Sequence, residues 1–166
     1  MVEQVYFVFE SPSDRRNLFS CIRTAELFGY TEVFIVDDIY DIQNRYANHL
    51  ERDKGILAGA DQYVTLKTLT KNDFVGLLHT MQFNIYGLIP TPSTQTNNII
   101  PIENAVITNN QPRIFIIGNE CSELTEWIQS YCTKLFYIPN TGHTTSLSHP
   151  AAFAVLASYL RLAQLE

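Results

Sequence analysis

Short runs of β-branched and aromatic residues recur along the chain, at positions 5–9, 33–36, 63–66, 84–89, 114–117 and 135–138. Continuous apolar runs of this length suit strands covered on both faces, as in a parallel sheet. The stretches between them change period. Leu18, Ile22, Ala25 and Phe28 form one helical stripe that starts behind Ser13 or Asp14 as cap and is closed by Gly29. Strand and helix alternate, which predicts an α/β fold with a mostly parallel sheet flanked by helices.

Two segments depart from this rhythm. Residues 90–100 are rich in Pro, Thr, Ser and Asn and read as a loop, either a cover over a site or a plain connector. From Pro150 to about Leu165 the helical pattern is apolar on nearly every face until Arg161. A terminal helix in a small domain normally keeps one solvent face. The second apolar face therefore predicts either a deeply buried core helix or a partner subunit, most simply a second copy across a two-fold axis.

With 166 residues, 46% of them hydrophobic, the expectation is one domain spanning residues 1–166 with nothing appended. The net charge of −6 argues against a protein that coats nucleic acid by bulk attraction, so any such contact must be local. Arg15, Arg16 and Arg23 make one basic group; Arg45, Arg52 and Lys54 make another, diluted by Glu51 and Asp53 and readable as a solvated helix face. Cys21, Cys121 and Cys132 have no C-x-x-C spacing, which suggests neither a disulfide framework nor zinc and fits a reducing, cytoplasmic setting. No run has the length of a membrane span or the pattern of a signal peptide.

The glycine and histidine signatures of dinucleotide enzymes, phosphate-loop NTPases, serine hydrolases and zinc proteases are all absent. Three segments follow strand ends instead, where open α/β sheets place ligands. The first, residues 17–29, carries Arg23 off the apolar stripe and open to a ligand or a neighbouring subunit. In the second, residues 114–124, Glu120 stands near a helix start, where capping the helix that follows is the plain structural reading. The third, residues 138–149, is rich in hydroxyl side chains; its His143 and His149 lack acidic or Cys companions at ligand spacing, so both are assigned to loop packing and no metal is expected.

In order and spacing the three segments resemble the SpoU/TrmH branch of the SPOUT RNA methyltransferases. That family's Asn-x-Gly-Ala-x-x-Arg-Thr-Ala-x-x-Phe-Gly is similar to Asn17, Arg23, Thr24, Ala25, Phe28 and Gly29, with Phe19-Ser20 in place of Gly-Ala. Its Gly-Asn-Glu-Gly-x-Gly-Leu is matched by Gly118, Asn119, Glu120 and Leu124, with Cys121 and Glu123 where the family has glycine. Its Ile-Pro-Met-x-Gly-x-x-x-Ser-Leu-Asn-Val is matched by Ile138, Pro139, Gly142, Ser146 and Leu147, with Asn140 for Met and Ser148 for Asn. A fainter likeness is the Ala-Gly-Ala turn at 58–60.

The resemblance implies a C-terminal trefoil knot whose loops bind S-adenosylmethionine. It places the cofactor against Leu88, Ile89, Pro90, Gly118, Asn119, Glu120, Ile138, Pro139, Gly142, Ser146 and Leu147. It implies methyl transfer to a ribose 2′-hydroxyl of tRNA or rRNA, not DNA, by a homodimer joined through the last helix. Asn17, Arg23, Glu120, Ser146 and Ser148 would be the catalytic group, with Arg23 reaching the partner's site. Guanidinium keeps its proton in proteins, so the role expected of Arg23 is electrostatic rather than that of a base. The departures at 121, 123 and 148 and the charge of −6 leave an alternative in place, a catalytically silent dimeric binding module of the same fold, and the acidic balance leaves a further class open, a small-molecule methyltransferase or an unrelated α/β domain.

Overall fold

The computed structural model describes residues 4–37, 50–93, 97–104, 111–120, 122–144 and 146–163. Arg45 and Cys121, singled out above, lie outside the described residues. The elements run β1 (Val5–Glu10), α1 (Arg15–Leu27), β2 (Glu32–Val36), α2 (Leu50–Leu57), β3 (Thr65–Leu69), α3 (Lys71–Thr80), β4 (Asn84–Ile89), β5 (Ile99–Pro101), β6 (Arg113–Ile117), α4 (Glu126–Gln129), β7 (Lys134–Tyr137) and α5 (His149–Ala163). The strands form one sheet in the order β3-β2-β1-β6-β4-β7-β5, and every pairing among the described residues is parallel.

Side chains alternate across the central strands and build a core on each face. Phe7, Phe9, Phe115 and Ile117 point toward α1 and α5, where they meet Leu18, Ile22, Phe153 and Leu156. Val8, Ile114 and Ile116 point the other way, toward Phe74 of α3 and Ile128 of α4. Phe153 sets its ring edge-on to Phe7, with centroids 4.8 Å apart. Such aromatic pairs add about 0.5–1.5 kcal/mol beyond the area they bury.

Local chemistry fixes the helix ends. Asp14 caps α1 by accepting from the Arg16 N–H at 2.8 Å, and α1 stops before Gly29, whose φ of +80° a residue with a side chain adopts poorly. Thr70 and Asp73 form a reciprocal capping box at the head of α3. The turn at Ala58 and Gly59, both at positive φ, comes after α2 and before β3.

Three expectations need correction. The third strand runs over Thr65–Leu69 and not 63–66, because it is an edge strand on which Thr65 and Lys67 face solvent and only alternate residues are covered. The loop read over 90–100 ends in β5, whose Ile99 and Ile100 pair with Leu135 and Phe136 of β7. The last helix is not the deeply buried core helix that one of its two readings predicts: Phe153, Leu156, Ala157 and Leu160 are buried, while the apolar Val155 and Leu162 are exposed.

Candidate functional site

β6, β4 and β7 are neighbours, and their register aligns Leu88 with Ile117 on one side and with Phe136 on the other. The three strands therefore end level, and the turns that leave them share one edge of the sheet. Between those turns and the start of α5 lies a cleft of about 720 Å³, within the roughly 300–1,000 Å³ usual for small-molecule sites.

Its lining joins segments far apart in sequence. β4 supplies Leu88, Ile89 and Pro90; the turn after β6 supplies Gly118, Asn119 and Glu120; the segment after β7 supplies Ile138, Pro139, Gly142, Ser146 and Leu147. All eleven residues expected to hold a cofactor thus face one cavity. Leu124, Ala152 and Ile117 complete an apolar wall, and Thr91, Asn140 and Thr144 add polar groups at the rim. Those rim residues hold one another: the Thr91 hydroxyl donates to the Ile138 carbonyl at 3.1 Å, and the Asn140 amide donates to the Thr144 carbonyl at 3.2 Å. Gly118 is needed for closeness, since a Cβ there would sit 3.2 Å from the Leu124 backbone nitrogen.

The turn after β6 is tied to the turn after β1. The Asn119 side-chain amide donates to the Ser11 carbonyl at 2.6 Å. Glu120 accepts from the Ser13 N–H at 2.8 Å, from the Ser13 hydroxyl at 2.7 Å and from the Asp14 N–H at 3.4 Å. Glu120 therefore does act at a helix start, but at the head of α1 and not at the helix that follows it. The helix that follows, α4, is capped by Thr125, whose own N–H and hydroxyl both donate to the buried carboxylate of Glu10. Burial alone would raise the Glu120 pKa; the Ser13 donors and the Glu120 backbone N–H together outweigh it and hold the carboxyl below its ordinary value, and His149 adds to the same effect in its protonated form.

The expected catalytic group divides. Glu120 and Ser146 line the cleft; Asn17, Arg23 and Ser148 do not. Asn17 is half-buried on the first turn of α1, and Arg23 is exposed farther along that helix. Ser148 is exposed just before α5, and its carbonyl accepts from the Ala152 N–H at 2.9 Å, so it serves the helix start. Glu123, which stands where the resembling motif has glycine, lines the cavity without closing it.

One lining residue has partners that the sequence did not reveal. His149 packs, as expected, but into the cleft: its Nε2 donates to the Gly118 carbonyl at 2.8 Å, and its Nδ1 lies 3.4 Å from Glu120 Oε1. The two partners are about thirty residues away along the chain, which hid the relationship. A second depression of about 430 Å³ beside it is lined by Ser13, Asp14, Arg15, Arg16, Arg52 and Asp53, with Arg15 paired to Asp53 and Arg16 to Asp14. Among the described residues, no group of three or more His, Cys, Asp or Glu is placed to hold a metal ion.

The model of the SpoU rRNA methylase family matches residues 4–158. The chain belongs to that family. A tRNA/rRNA methyltransferase of a Synechocystis strain, itself uncharacterized, is 26% identical over 152 residues; these are 91% of this SpoU chain and 36% of that protein. The AdoMet-bound rRNA methyltransferase of Sinorhizobium meliloti has a similar structure, with TM-score 0.79 and 18% identity over 98% of this chain and 57% of that one. An RNA 2′-O ribose methyltransferase gives TM-score 0.76 and 16% identity over 99% of this chain and 58% of that one. The SpoU chain thus spans about a third to somewhat over half the length of these three proteins. At such identities the structural likenesses speak to the fold, an α/β sheet of the SPOUT methyltransferase type. No helix among the described residues is long and apolar enough to cross a membrane.

Proposed function

We propose that this SpoU-family chain binds S-adenosylmethionine in the cleft after β4, β6 and β7 and transfers its methyl group to a ribose 2′-hydroxyl of tRNA or rRNA. The observation that carries the reading is the convergence, in one cavity, of all eleven residues the motifs assign to the cofactor. The cavity's chemistry fits. Leu88, Ile117, Leu124 and Ala152 offer an apolar wall for a purine, the Thr and Asn groups at the rim suit hydroxyl and amino groups, and the carboxylates of Glu120 and Glu123 suit a cation. A bound S-adenosylmethionine supplies an electrophilic methyl on a sulfonium.

The chain's own work is orientation and charge. Glu120, fixed by Ser13 and Asp14, holds a hydroxyl donor in place, and Ser146 of the same lining positions the substrate or cofactor. Arg23 is exposed and does not line the cleft of its own chain, which suits a role at the partner's site in a homodimer, binding a phosphate and stabilising developing alkoxide charge. We propose that α5 makes that dimer, with Val155 and Leu162 covered by the second copy. The resemblance also carries a trefoil knot; its support here is that β7 inserts between β4 and β5, both earlier in the chain.

A silent binding module is the second reading, favoured by Ser148, which stands where the motif has an amide and does not line the cleft. Calorimetric titration with S-adenosylmethionine, followed by transfer of labelled methyl to total RNA and nucleoside analysis, separates the two. One site per subunit and 2′-O-methylated nucleosides are expected; binding without transfer would favour the module. Arg23→Lys should slow transfer, and an unchanged rate would remove the electrostatic role.

A further inference from the structure

The side chains of His149 and Glu120 are 8% and 12% exposed, side by side in the cleft. The Gly118 carbonyl can only accept, so the Nε2 atom 2.8 Å from it bears the ring proton. In its neutral form the ring turns the bare lone pair of Nδ1 toward Glu120 Oε1 at 3.4 Å. Nδ1 has almost no exposed surface and no hydrogen-bond partner among the described residues. The ring is held in that pose by Phe9, edge-on with centroids 5.6 Å apart. Two acceptors facing each other in a partly apolar enclosure are costly, and a proton on Nδ1 converts the contact into an ion pair.

Methyl transfer to a hydroxyl releases such a proton. The oxygen lone pair forms the new O–C bond, the S–C pair returns to sulfur, and the O–H pair stays on oxygen as the proton leaves. We propose that Glu120 and His149 take this proton in turn: Glu120 accepts it from the hydroxyl, and His149 Nδ1 receives it from Glu120, leaving an imidazolium–carboxylate pair. The relay rests on the methyl-transfer reading above. His149 acts through Glu120 and so is a positioning residue for the proton, and it stands where the resembling motif has Val.

The surroundings favour the hand-over. A carboxylate held by the Ser13 donors keeps a proton poorly, whereas imidazole is the side chain that changes charge nearest neutral pH. The titratable and charged groups facing the pair are few. Asp14 at the head of α1 meets Glu120 through its N–H, Cys21 of α1 senses the Glu120 charge, and the first turn of α5 has no acidic residue.

The test uses the full protein, S-adenosylmethionine and total RNA, with His149→Gln, whose amide can still donate to the Gly118 carbonyl but cannot take up a proton. Expected are a kcat lower by about tenfold or more, a nearly unchanged KM, and loss of the low-pH limb of the wild-type rate profile. Persistence of that limb in His149→Gln would overturn the relay alone. Wild-type protein that binds the cofactor and methylates no RNA would overturn the relay together with the methyl-transfer reading. An independent readout is ¹⁵N resonance of the His149 ring in the protein without cofactor. A proton on Nε2, with Nδ1 taking up a second on acidification and responding to Glu120→Gln, is expected; a proton resident on Nδ1 in the neutral ring would overturn the inference.

Discussion

Ser13 presents both its backbone N–H and its hydroxyl to the same carboxylate oxygen of Glu120, at 2.8 and 2.7 Å. One residue thus joins the turn after β1 to the turn after β6 and fixes a side chain of the cleft from outside it.

Ser13→Ala removes the hydroxyl donor and keeps the N–H. The expected loss of stability is about 1 kcal/mol, the usual net worth of one hydrogen bond. The urea midpoint measures it, and an unchanged midpoint would show that Glu120 is held by backbone alone.

The same contacts give the fold an acid sensitivity. The folded pKa of Glu120 lies below its ordinary 4.5, because the Ser13 donors, the Glu120 backbone N–H and a protonated His149 together outweigh the upward push of burial. A depressed carboxylate stabilises the folded state fully above the unfolded pKa, and that contribution fades as pH falls toward the folded value. Glu120→Gln should therefore flatten the decline in urea midpoint below about pH 4.5. A decline as steep as that of wild type would mean that other carboxylates carry it.

Gly87, in the middle of β4, leaves no room. A Cβ there would meet Leu124 Cδ1 and Leu135 Cδ2 at 2.7 Å each and Cys132 Sγ at 3.1 Å. Gly87→Val is expected to cost about 1–3 kcal/mol as these side chains are displaced. Thermal unfolding reads the loss, and cofactor affinity should fall with it, because Leu124 lines the cleft.

Two thiols should be inert in the native state. Burial, helped by the charge of Glu10, pushes the Cys132 thiol up to about 12, and burial pushes Cys21 higher still. Iodoacetamide at pH 8 should leave both unmodified until the chain is unfolded in urea, as peptide mass mapping would show. Rapid alkylation of Cys132 in the folded protein would contradict its packing against Ile128.

Much of this was legible in sequence, for identifiable reasons. Strands β1, β4 and β6 are apolar at nearly every position because both faces are covered, and their runs stood out. β3 was misplaced because Thr65, Leu66, Lys67 and Thr68 alternate, as an edge strand with one wet face must. β5 was missed because three residues, ending in Pro101, are too few to show any period. The lining of the cleft was legible because the motifs mark turns, and turns at level strand ends must meet. The destination of Glu120 and the contacts of His149 were not, since each is decided by a partner reached only through strand order: β1 beside β6 brings Ser13 to Glu120, and α5 folding back brings His149 to Gly118.

That strand order also sets a timetable. β1, β2 and β3 lie side by side as they emerge, so one flank of the sheet can zip up from local pairings. The other flank waits, because β6 must settle between β1 and β4, with Phe7 opposite Phe115, and β7 must then find the gap between β4 and β5. Long-range parallel pairing of this kind is slow. The cleft needs all of these steps and the first turn of α5 as well, so a chain released early from the ribosome would own a half-sheet and no site: competence is the last property this molecule acquires.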